Sequence, residues 1–575
     1  MKQRVLWLLC AVFLLCMPVR AAEWSREEGD GSYITIRVPY AQAADLGWAE
    51  SRYLGVRYKD TGEAVPLTSD IQFGGLFVTV PAADKNRSLE VFQGERFPWA
   101  DCPWENEPMA ANILHIRDVI QGDENGNLNP DKELTRAEAF TILVRLLSLE
   151  GREDPGYADV MPEDWFYDTV SAARAAGLAA GDTHFRPNDS VTRAEFTTMV
   201  YRAFCCVGWL EECEGAEAEL NLVDRRELPA WAESAYLALG SAQENILICS
   251  DFYGSDLDAE GFPMVYRFAD SHKAATRREV MEMVYAALRW LPLYPTETAM
   301  AWGFDREMPV IDGSTSTYPY TRALYGALFD NPTRHPLYPA SHSKSHASYE
   351  RLIAGEADVL FAATKPSEEL RKLAMESGVE LECIPIAYDA MVFFTNSAND
   401  VQGLTSRQIR DIYVNNAYTN WSELGGKDAA LIPYCRNRDS GSQALMEQFF
   451  LDGADIHPGI RQETTSLSMA SILTDVERAC QAINDPCYGL GYSIYYYYET
   501  ARMILLGDDA LKLLTIDGVM PSDETIADGS YPLAGFNYLV LRADAPVCAR
   551  KLAQFMVSRA GQNVVVNAGF GALTR

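Results

Sequence analysis

Three stretches in the second half of the chain gather hydroxyls, glycine and arginine where an apolar run gives way to a helical pattern. The first is Ser314-Thr315-Ser316-Thr317-Tyr318-Pro319, after Val310-Ile311-Asp312-Gly313. The second is Ser341-His342-Ser343-Lys344-Ser345-His346, leading into residues 347–354. The third is Arg436-Asn437-Arg438-Asp439-Ser440-Gly441-Ser442-Gln443, after Leu431-Ile432-Pro433-Tyr434-Cys435. A helix start presents up to four unpaired N–H donors and the positive end of the helix dipole, so an oxyanion is held there without a lysine cluster. Arg436 adds two charge-assisted bonds. Three such junctions in one domain point to a nest for a small tetrahedral anion. His342 and His346 beside Ser343 and Ser345 also raise nucleophile-and-base chemistry. The chain has no GxSxG elbow, HExxH or paired-carboxylate motif, so no catalytic residues and no enzyme activity are expected.

A second constellation recurs three times: Thr135-Arg136-Ala137-Glu138, Thr192-Arg193-Ala194-Glu195 and Thr276-Arg277-Arg278-Glu279. Threonine caps a helix and glutamate three positions on reaches back to the cap, forming a capping box. The arginine gains nothing from the dipole in a first turn, so its place there implies a carboxylate or phosphate to hold. The third copy carries an insertion of about 25 residues within 243–273, a spacing fault in an otherwise regular repeat. Asp123-x-Asn125-Gly126-Asn127-x-Asn129 resembles a calcium loop, but its glycine is misplaced and position 134 is leucine, so it reads as the turn of the first repeat and no metal is expected.

The elements that must position these groups follow from periodicity. Residues 22–108 alternate apolar and polar in short bursts, as in Tyr33-Ile34-Thr35-Ile36-Arg37-Val38 and Leu76-Phe77-Val78-Thr79-Val80, which predicts a small antiparallel β unit. The repeats occupy 109–292. From about Pro292 strand-like and helix-like segments alternate, as in an α/β domain. The fold class is therefore multidomain, with a small β unit, an α-helical three-repeat domain and an α/β domain over 293–575.

The three Thr-Arg-x-Glu copies, each after a Gly-Asp or Val-Asp turn, resemble the S-layer homology (SLH) family. That resemblance implies three pseudo-symmetric helical units with grooves for secondary cell-wall polysaccharide, and Arg136, Arg193 and Arg277 as polymer contacts. The segments of 305–575, together with Asn420-Trp421…Leu424-Gly425-Gly426 and Gly489-Leu490-Gly491-Tyr492-Ser493, resemble the phosphate-binding proteins of ABC transporters. This resemblance implies a type II periplasmic-binding-protein fold. Two lobes are linked by strands near 384–396 and 531–541. It further implies that phosphate would be held at Arg436, Ser440, Gly441 and Ser442, and that Thr317, Tyr318 and Ser345 would complete the site with Ser316 beside them. An ABC permease is the partner such a domain implies. The transporter proteins carry an aspartate a few residues after the strand equivalent to 357–361; here those positions read Ala362-Ala363-Thr364-Lys365-Pro366-Ser367.

The ends and composition set the compartment. Lys2 and Arg4 precede the apolar run Val5–Met17, and Val19 and Ala21 satisfy a cut after residue 21, so residues 1–21 read as a signal peptide. The run is too short to span a bilayer, and no second apolar run reaches the required length. The 575 residues, 48% hydrophobic and 23% charged, belong to a globular multidomain chain. A net charge of −32, more negative still without Lys2, Arg4 and Arg20, argues against nucleic acid and anionic membranes as partners. No CxxC pair or zinc spacing is present, and no cofactor is expected. The expectation is a secreted receptor at the bacterial cell wall or S-layer that binds phosphate or a similar oxyanion. The alternative is a structural wall protein whose binding domain has lost or changed its ligand.

Overall fold

The computed structural model describes residues 24–40, 53–71, 75–151, 153–179, 183–211, 220–243, 246–257, 263–437, 440–479, 486–507 and 509–573. The signal-peptide reading lies outside these residues. The chain divides into two units, Met1–Tyr294 and Pro295–Arg575.

In the first unit, strands Ser25–Glu28, Tyr33–Pro39 and Gly75–Pro81 form an antiparallel sheet, and Leu54–Tyr58 pairs with Leu89–Gln93. Their inward side chains, among them Leu54, Val56, Leu76, Val78 and Val80, make a small core of their own. Polar contacts hold this β unit on the repeats. Asp70 is gripped by Arg117, Tyr285 and Arg289, and the Tyr33 hydroxyl donates to the Leu147 carbonyl.

The helices Arg136–Leu146, Arg193–Val207 and Arg277–Trp290 each start at a complete capping box on Thr135, Thr192 and Thr276. The segments before them pair in rotation. Thr135 bridges Ser190, Thr192 bridges Ala274, and Thr276 bridges Glu133, so the third copy closes back on the first. The amides follow the same rotation: those of Arg136, Arg193 and Arg277 donate to Asp189, Lys273 and Lys132. The inserted residues of the third copy include a hairpin, Ser250–Leu257 with Pro263–Phe268. Asp123 closes its turn by accepting from the backbone of Asn125 and Asn127 and the amides of Asn127 and Asn129.

The second unit is built on one sheet in the order Ala430–Pro433, Cys487–Ile494, Leu381–Asn396, Ala534–Arg542, Val359–Ala362, Ile311–Gly313. The long strand Leu381–Asn396 changes partners midway. Up to Ala390 it pairs with Ala534–Arg542, and from Met391 with Cys487–Ile494. Separate cores form on either side, one around Leu352, Leu360 and Val540 and one around Phe393, Trp421 and Tyr492. Two lobes result, joined where the expected linkers run.

Asp389 lies at this changeover, 5% exposed. Its carboxylate accepts from the Ala390 amide, the Asn537 side chain, which also donates to Tyr320, and the Tyr496 amide. Burial nevertheless raises its pKa to about 7. An acid whose folded pKa lies above its unfolded value stabilises the fold most when protonated, so stability drains away as pH climbs from about 4 to about 7. Asp389→Asn is expected to gain thermal stability over the wild type at pH 8 and to lose that advantage at pH 4.5. Calorimetric melting at the two pH values checks this.

Candidate functional site

The first hydroxyl-rich loop follows strand Ile311–Gly313 and turns through Thr315–Thr317 into helix Tyr318–Leu328. It is pinned to the neighbouring strand: the Ser314 amide and the Thr317 hydroxyl both donate to the Phe361 carbonyl, at 3.1 and 2.6 Å. Thr317, fully buried, has no hydroxyl proton left for a ligand. The Tyr318 hydroxyl donates to the Pro339 carbonyl at 2.9 Å. The side chains of these two expected site residues are thus structural, because the loop needs them to hold its turn. Ser316, expected only beside the site, takes the forward position.

The second loop is fixed from below. Asp312, buried in the middle of its strand, accepts from the Gly313 and Ser343 amides and pairs with Arg351. His342 bridges the loops. Burial pushes its pKa down, so the ring is neutral, with Nδ1–H donating to the Ser314 carbonyl (2.9 Å) and Nε2 accepting from Thr321 (2.9 Å). Both nitrogens are used in scaffolding. Lys344, at φ 77°, swings the chain into helix Ser345–Ala354, whose start has no side-chain cap.

The third loop carries Arg436 on a short strand paired with Thr465–Ser466, then Ser440, which caps helix Gly441–Met446 by accepting from the Gln443 amide. Capping uses the Ser440 oxygen as an acceptor and leaves its proton to donate. Arg438 and Asp439 lie outside the described residues.

The loops from the two lobes meet at Gly441. A methyl group there would stand 3.5 Å from Ser316 Oγ, Ser345 Oγ and Ala363 Cβ alike. Ser345 Oγ, at this point, has no acceptor among the described residues, and neither have Nε and Nη1 of Arg436 on the strand that leads into the same loop. Arg436 is 4% exposed, and only Nη2 is engaged, on the Asn437 side chain at 3.2 Å. Leaving buried donors unmade costs about 1–3 kcal/mol each, more for a charged group. Ser442 is buried in the same turn. Ala363 contributes a methyl group, and no acceptor, to the wall at this point. Asp312, His342 and Ala363 were not singled out as scaffold by sequence; only the Ile311-Asp312-Gly313 run, an acid inside a short apolar strand, carried a signal.

The repeat arginines follow the ring. Arg193, buried, donates to Glu279 at 2.6 Å and lies 3.4 Å from Asp270, tying the second copy to the third. Arg136 approaches Glu195 at 3.9 Å and lies over Phe140 and Phe185, tying the first to the second. Arg277 donates to the Leu128 and Gln121 carbonyls of the first copy. It also lines a cleft of about 220 Å³ with Asp123, Lys132, Glu138, Arg145 and Trp165.

The second unit is thus a two-lobed α/β domain with unpaired buried donors in its loops, and the first carries the capped helical repeats. The PBP superfamily domain matches residues 301–560, and the S-layer homology domain matches 107–140 and 156–197. The chain is 38% identical over 126 residues to the Surface-layer 125 kDa protein of Lysinibacillus sphaericus, 22% of this chain and 10% of that one. It is 25% identical over 300 residues to Protein SphX of Synechococcus elongatus, 50% of this chain and 84% of that one. Over 181 residues it is 26% identical to the Phosphate-binding protein PstS of Bacillus subtilis, 32% of this chain and 54% of that one. The chain thus spans a tenth of the first relative and about half of the third. It carries S-layer homology domains followed by a PBP superfamily domain and is a secreted protein of the cell surface.

Proposed function

We propose that the second unit captures a small tetrahedral oxyanion, phosphate first, between its lobes, while the repeats hold the protein on secondary cell-wall polysaccharide. The observation that carries the anion reading is the buried Arg436 guanidinium, with two donor nitrogens unpaired, on the strand that leads into the loop carrying Gly441. A domain emptied of its ligand has no physical reason to keep such a group, because an unpaired buried charge is costly and selection for stability alone would remove it. Phosphate is the first choice because the chain is 26% identical over 181 residues to a phosphate-binding protein. The ligand set we favour is Ser316, Ser345, Arg436, Ser440, Gly441 and Ser442. An ABC permease is the partner that would take the anion onward.

Isothermal titration of the mature chain with phosphate, sulfate and arsenate tests the reading. Heat and thermal stabilisation with at least one anion are expected, and silence with all three overturns it. Gly441→Val, which fills the space between the loops, is expected to abolish the signal while the chain still melts cooperatively.

For the anchor, the third copy counts as a repeat because its helix repeats the capping box and closes the ring. Of the three arginines, Arg277 lines the cleft with Arg145 and Trp165, so it is the one we assign to polymer, with Arg136 in a lesser role and Arg193 as an internal tie. Arg277→Ala is expected to reduce co-sedimentation with purified cell walls at least several-fold. Unchanged pelleting removes the arginine from the contact.

A further inference from the structure

Arg436 is held by its own peptide groups rather than by its side chain. Its amide donates to the Tyr492 hydroxyl at 2.9 Å, and its carbonyl accepts from Arg461 at 2.8 Å. The same Tyr492 hydroxyl donates onward to Gln443 Oε1 at 2.6 Å. Tyr492 and Gln443 are fully buried. Gln443 stands in the first turn of the helix that Ser440 caps, and its own amide is the one Ser440 receives. A single hydroxyl therefore spans from the strand that carries the guanidinium to the turn that carries Ser440, Gly441 and Ser442. It fixes the spacing of the charged donor from the hydroxyl and amide donors.

Taking the anion reading as given, we propose that Tyr492 is a positioning residue for anion capture: it touches no ligand and sets the register of Arg436 against the Ser440–Ser442 turn. A buried tyrosine could simply serve packing, and Tyr413 supplies the comparison. Tyr413 is equally buried, packs on Tyr492 at 5.5 Å between ring centres, and donates to the Tyr434 and Leu490 carbonyls of the same lobe. It bonds the strands beneath the site but not the capped turn. Removing either hydroxyl deprives the lobe of buried hydrogen bonds, so both should lower its melting temperature. Only Tyr492 links the two donor groups, so only its loss should loosen the ligand.

The test is titration of the mature chain with inorganic phosphate and with sulfate, beside melting in anion-free buffer. Tyr492→Phe is expected to raise Kd at least tenfold for the anion the wild type binds, and Tyr413→Phe to leave it within twofold. Gln443→Leu keeps the Arg436 amide bonded and cuts only the onward link. It is expected to raise Kd by less than Tyr492→Phe but by more than twofold, and it carries the test should Tyr492→Phe not fold. Equal Kd changes in the two tyrosine variants, or an unaltered Kd in Tyr492→Phe or Gln443→Leu, overturn the inference. A wild type that binds neither anion overturns instead the anion reading and this inference with it.

Discussion

Replacing Arg436 with methionine is expected to raise the Kd for phosphate by about two orders of magnitude or more and, in anion-free buffer, to leave the domain at least as stable as before. The guanidinium offers a ligand Nε and Nη1, two charge-assisted bonds of about 1.5–3 kcal/mol each, and roughly 3 kcal/mol is already more than a hundredfold in affinity. The second half of the expectation separates a binding arginine from a structural one. With those two nitrogens unpaired and 4% of the residue exposed, the arginine is a strain on the unliganded fold. Methionine of similar length relieves it, as apolar replacement of buried charge commonly does. Titration gives the first quantity and calorimetric melting the second. A fall in melting temperature with Kd unchanged would assign Arg436 to the scaffold.

Arg193→Ala is expected to be the most damaging single change among the repeats. Its guanidinium meets Glu279 at 2.6 Å, Ser250 at 3.0 Å and the Ala269 carbonyl at 3.3 Å, with Asp270 at 3.4 Å. Breaking a buried pair costs about 3–5 kcal/mol; because Glu279 and Asp270 are about a quarter exposed, some 2–3 kcal/mol is the fitting figure. Arg136→Ala removes a contact of 3.9 Å that water can replace and should cost under about 1 kcal/mol. In calorimetry of the mature chain, the transition that phosphate does not move should drop markedly for Arg193→Ala and little for Arg136→Ala. Equal effects would mean that the ring is not held by Arg193.

The contrast between these arginines shows what local sequence could and could not convey. A capping box is a four-residue device, so Thr135, Thr192 and Thr276 were legible at once, and the structure has all three. That a first-turn arginine wants a carboxylate was equally legible. Which carboxylate was not: Glu195 and Glu279 are the capping glutamates of the following copy, and only ring closure brings them within reach. The binding loops divide the same way. Arg436, Ser440, Gly441 and Ser442, four of the proposed ligand contacts, lie within seven consecutive positions and could be picked out together from sequence, and the partner switch of Leu381–Asn396 fell where the linker was expected. Thr317 and Ser316 are neighbours with the same chemistry, and the choice between them rests on the Phe361 carbonyl, 44 positions away. Tyr492 is farther still, 56 positions from the amide it accepts. Nothing in its own surroundings marks it as different from the four tyrosines that follow.

The order of strands in the binding domain has a consequence for biogenesis. Val359–Ala362 gains its second neighbour only from Ala534–Arg542, which also flanks the long strand Leu381–Asn396. While a chain is being threaded out N-terminus first, the first lobe therefore has only an open, two-stranded fragment of its sheet, which is marginal in water by itself. Closure waits for a segment some 180 positions downstream. Such wiring keeps the domain slack for as long as any of it remains inside and lets it snap shut only after the last strands have emerged, which suits a polypeptide that must pass a membrane unfolded and do its work on the far side.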